Sequence, residues 1–185
     1  MNQLEKIRVA VLATDGVEES EIVEPLKALR NAGINAEVLT PSGNAIQMMQ
    51  HDEKTGMQQA QGRIADSRAG DYQALVLPGG ALNADNLRMI PEAREFVREI
   101  DMSGKTMAVI CHAPWLLVSA GLAKGRTLTS YHTIQDDIRN AGGTWVDREV
   151  AIDRNLITSR SPKDLPAFNR ALLEALATAE KRQVA

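Results

Sequence analysis

Among 185 residues there is a single cysteine, Cys111. One thiol cannot close an internal disulfide or build a thiolate metal cage, so Cys111 is either a small buried hydrophobe or a reactive group. A basic excess is also missing. With 21 Lys and Arg against 24 Asp and Glu the formal charge is -3, and no run of cations could follow a phosphate backbone, so nucleic-acid binding is not expected. No apolar run approaches the roughly 18 residues of a membrane span; the richest stretch, Trp115 to Ala123, is broken by Ser119 and Gly121. The N-terminal apolar run is short and soon followed by acids, unlike a signal peptide, and a cytoplasmic location is the expectation. GxGxxG and Walker loops are absent too, which removes the sequence grounds for a dinucleotide or a nucleoside triphosphate. Internal repeats and linkers are likewise missing.

The composition that remains, 44% hydrophobic and 24% charged, suits a packed globular chain, and the length suits one domain over 1–185. Ile7 to Ala13 reads as a buried parallel strand. Ile22, Leu26 and Leu29 give a crossover helix closed near Gly33, with Pro25 predicting a kink or a late start. A second strand covers Ala36 to Thr40. From Pro41 to Gly70 there is no clean period, and a hairpin or short edge strands are expected. Ala74 to Leu77 is a strand running into Pro78, Gly79 and Gly80, followed by a helix from about Pro91 to Asp101. Thr106 to Ile110 is a strand ending on Cys111, and Pro114 to Ala120 is a helix. The remainder reads as a helix over Ile134 to Ala141, strands over Trp145 to Ile152 and Leu156 to Thr158, and a closing helix over Lys163 to Ala179. Strands alternating with helices imply an α/β sandwich around a mostly parallel sheet.

Ligands of open α/β sheets gather at the carboxyl ends of strands. Glu18, the pair Gly79 and Gly80, and Cys111 all fall there. A thiol between strand and helix projects from a tight turn, and the helix amides are expected to favour the thiolate. His112 follows directly and can serve as base only if the turn is sharp. Gly79 and Gly80 can aim backbone amides as an oxyanion hole; an ordinary turn is the plainer alternative. Asp85 is either a surface acid or the group that orients His112. Glu18, Glu19, Glu21 and Glu24 suit a helix start, with Glu18 the one to test. His51, Asp52 and Glu53 are consecutive and fit a solvated turn better than a metal site; no metal or organic cofactor is called for.

Four segments in order, VAVLATDGVEESEIVEP, ALVLPGG, AVICHAPWLLVSAGLAKGRTLTSY and TSRSPKDLPAFNRALLEAL, resemble the DJ-1/PfpI superfamily over nearly the whole chain. The resemblance implies a flavodoxin-like three-layer sandwich with a nucleophile elbow, and a homodimer or larger homo-oligomer. It implies Cys111 as nucleophile, His112 beside it, Glu18 against the thiol, and Tyr131 lining the site. It further implies Asp85, supplied by a neighbouring subunit, as the orienter of His112; GGALNAD departs slightly from the usual spacing. His132 stands where relatives often carry proline. The activities implied are a glutathione-independent glyoxalase or deglycase acting on small carbonyls or glycated protein, an intracellular peptidase, or a redox sensor or chaperone working through oxidation of Cys111. The first is the leading expectation, because a thiolate adds readily to an activated carbonyl.

Overall fold

The computed structural model describes the backbone of residues 7–184 and the side chains of 7–179; the expectations for the first six residues lie outside that range. In chain order the strands are β1 (Arg8–Leu12), β2 (Val17–Glu18), β3 (Asn35–Thr40), β4 (Ile46–Gln50), β5 (Glu53–Gln58), β6 (Gly62–Arg63), β7 (Ala74–Leu77), β8 (Thr106–Ile110), β9 (Thr127–Leu128), β10 (Thr144–Trp145), β11 (Val150–Asp153) and β12 (Leu156–Ser159). The helices are α1 (Glu19–Asn31), α2 (Ala81–Arg88), α3 (Pro91–Met102), α4 (Pro114–Ala120), α5 (Gln135–Asn140) and α6 (Leu165–Val184).

Seven strands form the main sheet in the order β11-β12-β8-β7-β1-β3-β6. Every neighbouring pair is parallel except β11 with β12. Side chains alternate across a strand, and β1 divides the core accordingly. Val9 and Val11 pack with Ile22, Leu26 and Phe168 of α1 and α6 on one face. Ala10 and Leu12 pack with Phe96, Val97 and Leu117 of α3 and α4 on the other. The result is the expected three-layer sandwich. From β1 the chain moves first to β3 on one side and then to β7 on the other, so a crevice opens at the carboxyl ends of β1 and β7, where such sheets bind ligands.

Several elements differ from the sequence reading. Helix α1 starts at Glu19 and runs through Pro25 without stopping. Proline there removes the hydrogen bond to the carbonyl four residues back, but Ile22, Leu26 and Leu29 are buried beside it, and each such side chain contributes about 1.5–3 kcal/mol. The segment 41–70 holds the β4–β5 hairpin, which with β2 makes a separate three-stranded sheet. Helix α2 was not expected, because its buried face carries a polar residue, Asn83, where periodicity looks for an apolar one. The stretch read as a strand over 145–152 is divided between β10, paired with β9, and β11.

Candidate active site

Strand β8 ends on Cys111, whose φ is +63°. A non-glycine residue in this left-handed conformation costs about 1–2 kcal/mol, and the surrounding structure holds it there. The Cys111 amide donates to the Ser159 carbonyl (3.1 Å), and its carbonyl accepts from the Tyr131 amide (2.8 Å). Helix α4 then starts at once with Pro114 in its first turn and ends at Gly121 in the left-handed conformation. This is the sharp strand-to-helix turn of a nucleophile elbow, and it answers the geometric question about His112. The imidazole folds back so that Nδ1 lies 3.2 Å from Cys111 Sγ.

Glu21, and not Glu18, is the carboxyl against the thiol. Glu21 is fully buried; its Oε2 accepts from the Gly79 amide (2.9 Å), and its carboxyl group is a hydrogen-bonding neighbour of Cys111. Glu18 was expected in that place. It lies in β2, ahead of the helix, and its Oε2 instead accepts from the His51 amide (3.0 Å). The helix begins one residue later, and only from within α1 does Glu21 turn inward beside Ile22 and Pro25.

The two glycines take separate tasks. An added Cβ on Gly79 would stand 2.6 Å from Cys111 Cβ and 3.0 Å from the Ile110 carbonyl, so only glycine lets the turn approach the elbow. Its amide, however, is committed to Glu21, which removes it from the expected oxyanion pair. The amides aimed at the sulfur are those of Gly80 and His112. Asn83, which no sequence signal marked, fixes the turn: Nδ2 donates to the carbonyls of Pro78 and Gly79 (2.9 Å each), and Oδ1 accepts from the Thr14 amide (2.7 Å). Thus α2 ties the Gly79–Gly80 turn to the end of β1.

Electrostatics also correct an expectation. The helix terminus was expected to pull the thiol's pKa down, and the Gly80 and His112 amides do act in that direction. Burial outweighs them and pushes the Cys111 thiol up, with the Glu21 charge adding to it. Burial likewise holds the Glu21 carboxyl up at about 8, against the pull of Cys111 and the Gly79 amide. Its Oε1 is buried without a partner of good geometry, which leaves that atom to carry a proton. The two groups titrate as a pair. His112 is held below the ordinary imidazole range by burial and by the nearby His132. At neutral pH all three groups are therefore uncharged: a protonated carboxyl, a thiol and a neutral imidazole within reach of it.

Around His112 the Tyr131 ring stacks at 4.7 Å between centroids and Trp115 stands edge-on at 5.5 Å. The second imidazole nitrogen, Nε2, lies 3.4 Å from Thr133 Oγ1. Asp85 does not orient His112 within the chain. It occupies an exposed position on α2, and among the described residues the ring's hydrogen-bond neighbours are Cys111 and Thr133. Within this chain the expected cluster therefore keeps Cys111, His112, Gly80 and Tyr131, gains Glu21, Asn83 and Thr133, and leaves Glu18 and Asp85 outside. Among the described residues, no three acids, histidines or cysteines are placed to hold a metal, and no helix is long and apolar enough to cross a membrane.

The chain is similar to known proteins over most of its length. The DJ-1/PfpI family model matches residues 7–175. Over 169 residues the chain is 37% identical to the Bacillus subtilis protein named "Putative cysteine protease YraA", covering 91% of this chain and 98% of that one. An uncharacterized protein of Staphylococcus aureus is 36% identical over 171 residues, covering 91% and 98%. Among solved structures, a two-domain protein of Anabaena variabilis with DJ-1/ThiJ/PfpI-like and ferritin-like domains superimposes with a TM-score of 0.87 at 35% identity, over 93% of this chain and 48% of that one. Drosophila melanogaster DJ-1beta gives 0.84 at 29% identity, over 97% and 96%.

Proposed function

This chain belongs to the DJ-1/PfpI family, and on that footing we propose that it is a cysteine-nucleophile enzyme converting small 2-oxoaldehydes to hydroxy acids without glutathione. The observation that carries this reading is the placement of Cys111 Sγ 3.2 Å from His112 Nδ1 and beside the buried Glu21 carboxyl. A thiol held up by burial is a poor nucleophile until a base takes its proton. His112, kept neutral, is that base, and a positioned general base contributes about 10²–10⁴ in rate.

The steps balance without an external oxidant. The Sγ–C1 bond forms as the thiol proton passes to His112 Nδ1 and then to the new alkoxide, giving a hemithioacetal. The amides of Gly80 and His112 stabilise the charge on that oxygen as it develops. The C1 proton is then removed and a proton is delivered at C2, while the hydroxyl proton on the C1 oxygen passes to the C2 oxygen, with Glu21 and His112 as the available carriers. C1 becomes a thioester and C2 a carbinol, so C1 is oxidised at the expense of C2. Water cleaves the thioester, releasing the hydroxy acid and the thiol; from methylglyoxal the product is lactate. A stress-protective role and a lowering of early protein glycation follow from removing free aldehyde.

The test is lactate formation from methylglyoxal in glutathione-free buffer, by wild type and by Cys111→Ser and His112→Ala. Activity present in the wild type and lost in both variants supports the reading; no lactate above the variants refutes it. A second reading, a peptidase using the same thiol, is favoured by the name of the Bacillus subtilis relative. Cleavage of peptide substrates that depends on Cys111, with no lactate formed, would select it.

A further inference from the structure

His112 can take a proton from Cys111 in only one of its two neutral forms. Nδ1 faces the sulfur at 3.2 Å, so it accepts only if it carries no hydrogen, and the ring proton must then sit on Nε2. The other form would aim an N–H at the sulfur, a weak acceptor, and leave no lone pair to receive the thiol proton. Which form a neutral imidazole adopts is set by what its second nitrogen meets. Among the described residues Nε2 has one hydrogen-bonding neighbour, Thr133 Oγ1, at 3.4 Å.

Thr133 reaches Nε2 from the surface, but the segment that carries it is tied to the elbow. The Tyr131 amide donates to the Cys111 carbonyl (2.8 Å), and the Ile134 amide donates to the Tyr131 carbonyl (3.2 Å), closing a single 3-10 turn over His132–Ile134. Ser130 Oγ donates to the same Tyr131 carbonyl (2.8 Å) and accepts from Trp145 Nε1 (3.0 Å). The far end of the turn is anchored by Ile134, which is buried. The imidazole is held as well. Tyr131 stacks on it and Trp115 stands edge-on to it. Trp115 is itself covered by the Arg88 guanidinium, 5.3 Å from the indole centroid, and Arg88 Nε donates to Ser119 Oγ (2.9 Å). With the ring and the turn both fixed to the elbow, Nε2 and the Thr133 hydroxyl are kept facing each other.

We propose that Thr133 is the positioning residue that fixes the tautomer of His112: its hydroxyl oxygen accepts the Nε2 hydrogen and so keeps the Nδ1 lone pair turned toward the Cys111 thiol. This rests on the reading of His112 as the base and supplies its orienting group from the same chain. When the thiol proton moves to Nδ1, both nitrogens carry hydrogen, the ring is cationic, and the bond to Thr133 becomes charge-assisted. The 3.4 Å separation of the resting site then shortens, as catalytic hydrogen bonds do on the way to the transition state. Nδ1 returns its proton to the alkoxide and Nε2 keeps its own throughout that step, so the resting form is restored without exchange of tautomers.

Two measurements test this. The first is nitrogen NMR of protein carrying isotope-labelled histidine, at about pH 7.5, above the ordinary imidazole value of about 6.5, with His112 assigned by the signals that His112→Ala removes. A protonated Nε2 and an unprotonated Nδ1 are expected in the wild type. Thr133→Val keeps the side-chain shape without the hydroxyl and should move population to the other tautomer; Thr133→Ser should restore the wild-type pattern. The second is lactate formation from methylglyoxal, where Thr133→Val should lower kcat about two- to tenfold, the range of one net hydrogen bond, with KM unchanged and recovery in Thr133→Ser. Wild type that makes no lactate refutes the carbonyl reaction, while the NMR pattern by itself supports or overturns the Thr133 assignment. A protonated Nδ1 in the wild type, or a tautomer unmoved by Thr133→Val, overturns it. So does a tautomer that shifts with Asp85→Asn and stays in place with Thr133→Val, which would give the role to a neighbouring subunit.

Discussion

Replacing Glu21 by glutamine removes a pH dependence of stability that the wild type must carry. The Glu21 carboxyl is fully buried, and burial holds it at about 8 where an ordinary carboxyl has 4.5. Between those values the folded protein keeps a proton that the unfolded chain has released. The folded state then binds more protons than the unfolded one, so stability falls as pH rises. Glu21's contribution is complete below about pH 4.5 and is lost as pH climbs through about 8. At about 1.36 kcal/mol per pH unit, the interval from 4.5 to about 8 corresponds to roughly 5 kcal/mol, an upper bound because Cys111 and the Gly79 amide respond when Glu21 ionises. Glutamine keeps an oxygen for the Gly79 amide and imitates the neutral acid. Urea unfolding of wild type and Glu21→Gln at intervals from pH 5 to 8.5 gives the difference in unfolding free energy. That difference should shift by several kcal/mol toward the variant as pH rises. Parallel profiles would refute the buried, protonated carboxyl.

Three other outcomes follow from contacts in and around the site. Gly79→Ala places a Cβ 2.6 Å from Cys111 Cβ, an overpacking expected to cost about 1–3 kcal/mol in the urea midpoint and to slow thiol alkylation. The acid limb of kcat/KM for methylglyoxal should lie below the ordinary imidazole value of about 6.5, since His112 works only when neutral and is held low by burial and by His132; His132→Gln should move that limb up, and a limb that stays in place would remove His132 from the explanation. Away from the site, the buried Arg126 guanidinium pairs with Asp101 and donates to Asn155 Oδ1. Arg126→Met strands Asp101 and should cost about 3–5 kcal/mol by urea unfolding, with Cys111 alkylation at its wild-type rate in the folded protein.

The features visible in the sequence were those that backbone chemistry dictates locally. A strand ending on Cys111 with Pro114 three residues on implies an elbow, and glycines after Leu77 imply close approach; the structure has both. What stayed hidden depends on register. Glu18 stands four residues before Ile22 and Glu21 four before Pro25, so both fall on the inward stripe of a helix. Only the starting point, Glu19, places Glu18 in a strand and sends Glu21 to the sulfur. Asn83 was hidden for a related reason, a polar side chain occupying a core position of α2 because three backbone groups need it. The lowered thiol pKa expected from a helix terminus failed because the sequence cannot weigh the two backbone amides of Gly80 and His112 against burial beside a second acid. Thr133 meets His112 across 21 positions of chain, a distance that no local pattern bridges.

The reactive unit assigned here is Cys111 with His112 and Glu21, and the pH dependence of Cys111 alkylation by iodoacetamide tests it without reference to any substrate. Burial and the Glu21 charge raise the thiol, and Glu18 is not among the causes. Glu21→Gln should therefore move the alkylation midpoint to lower pH, while Glu18→Gln leaves it at the wild-type position. A midpoint that moves with Glu18→Gln and stands still with Glu21→Gln would contradict the assignment.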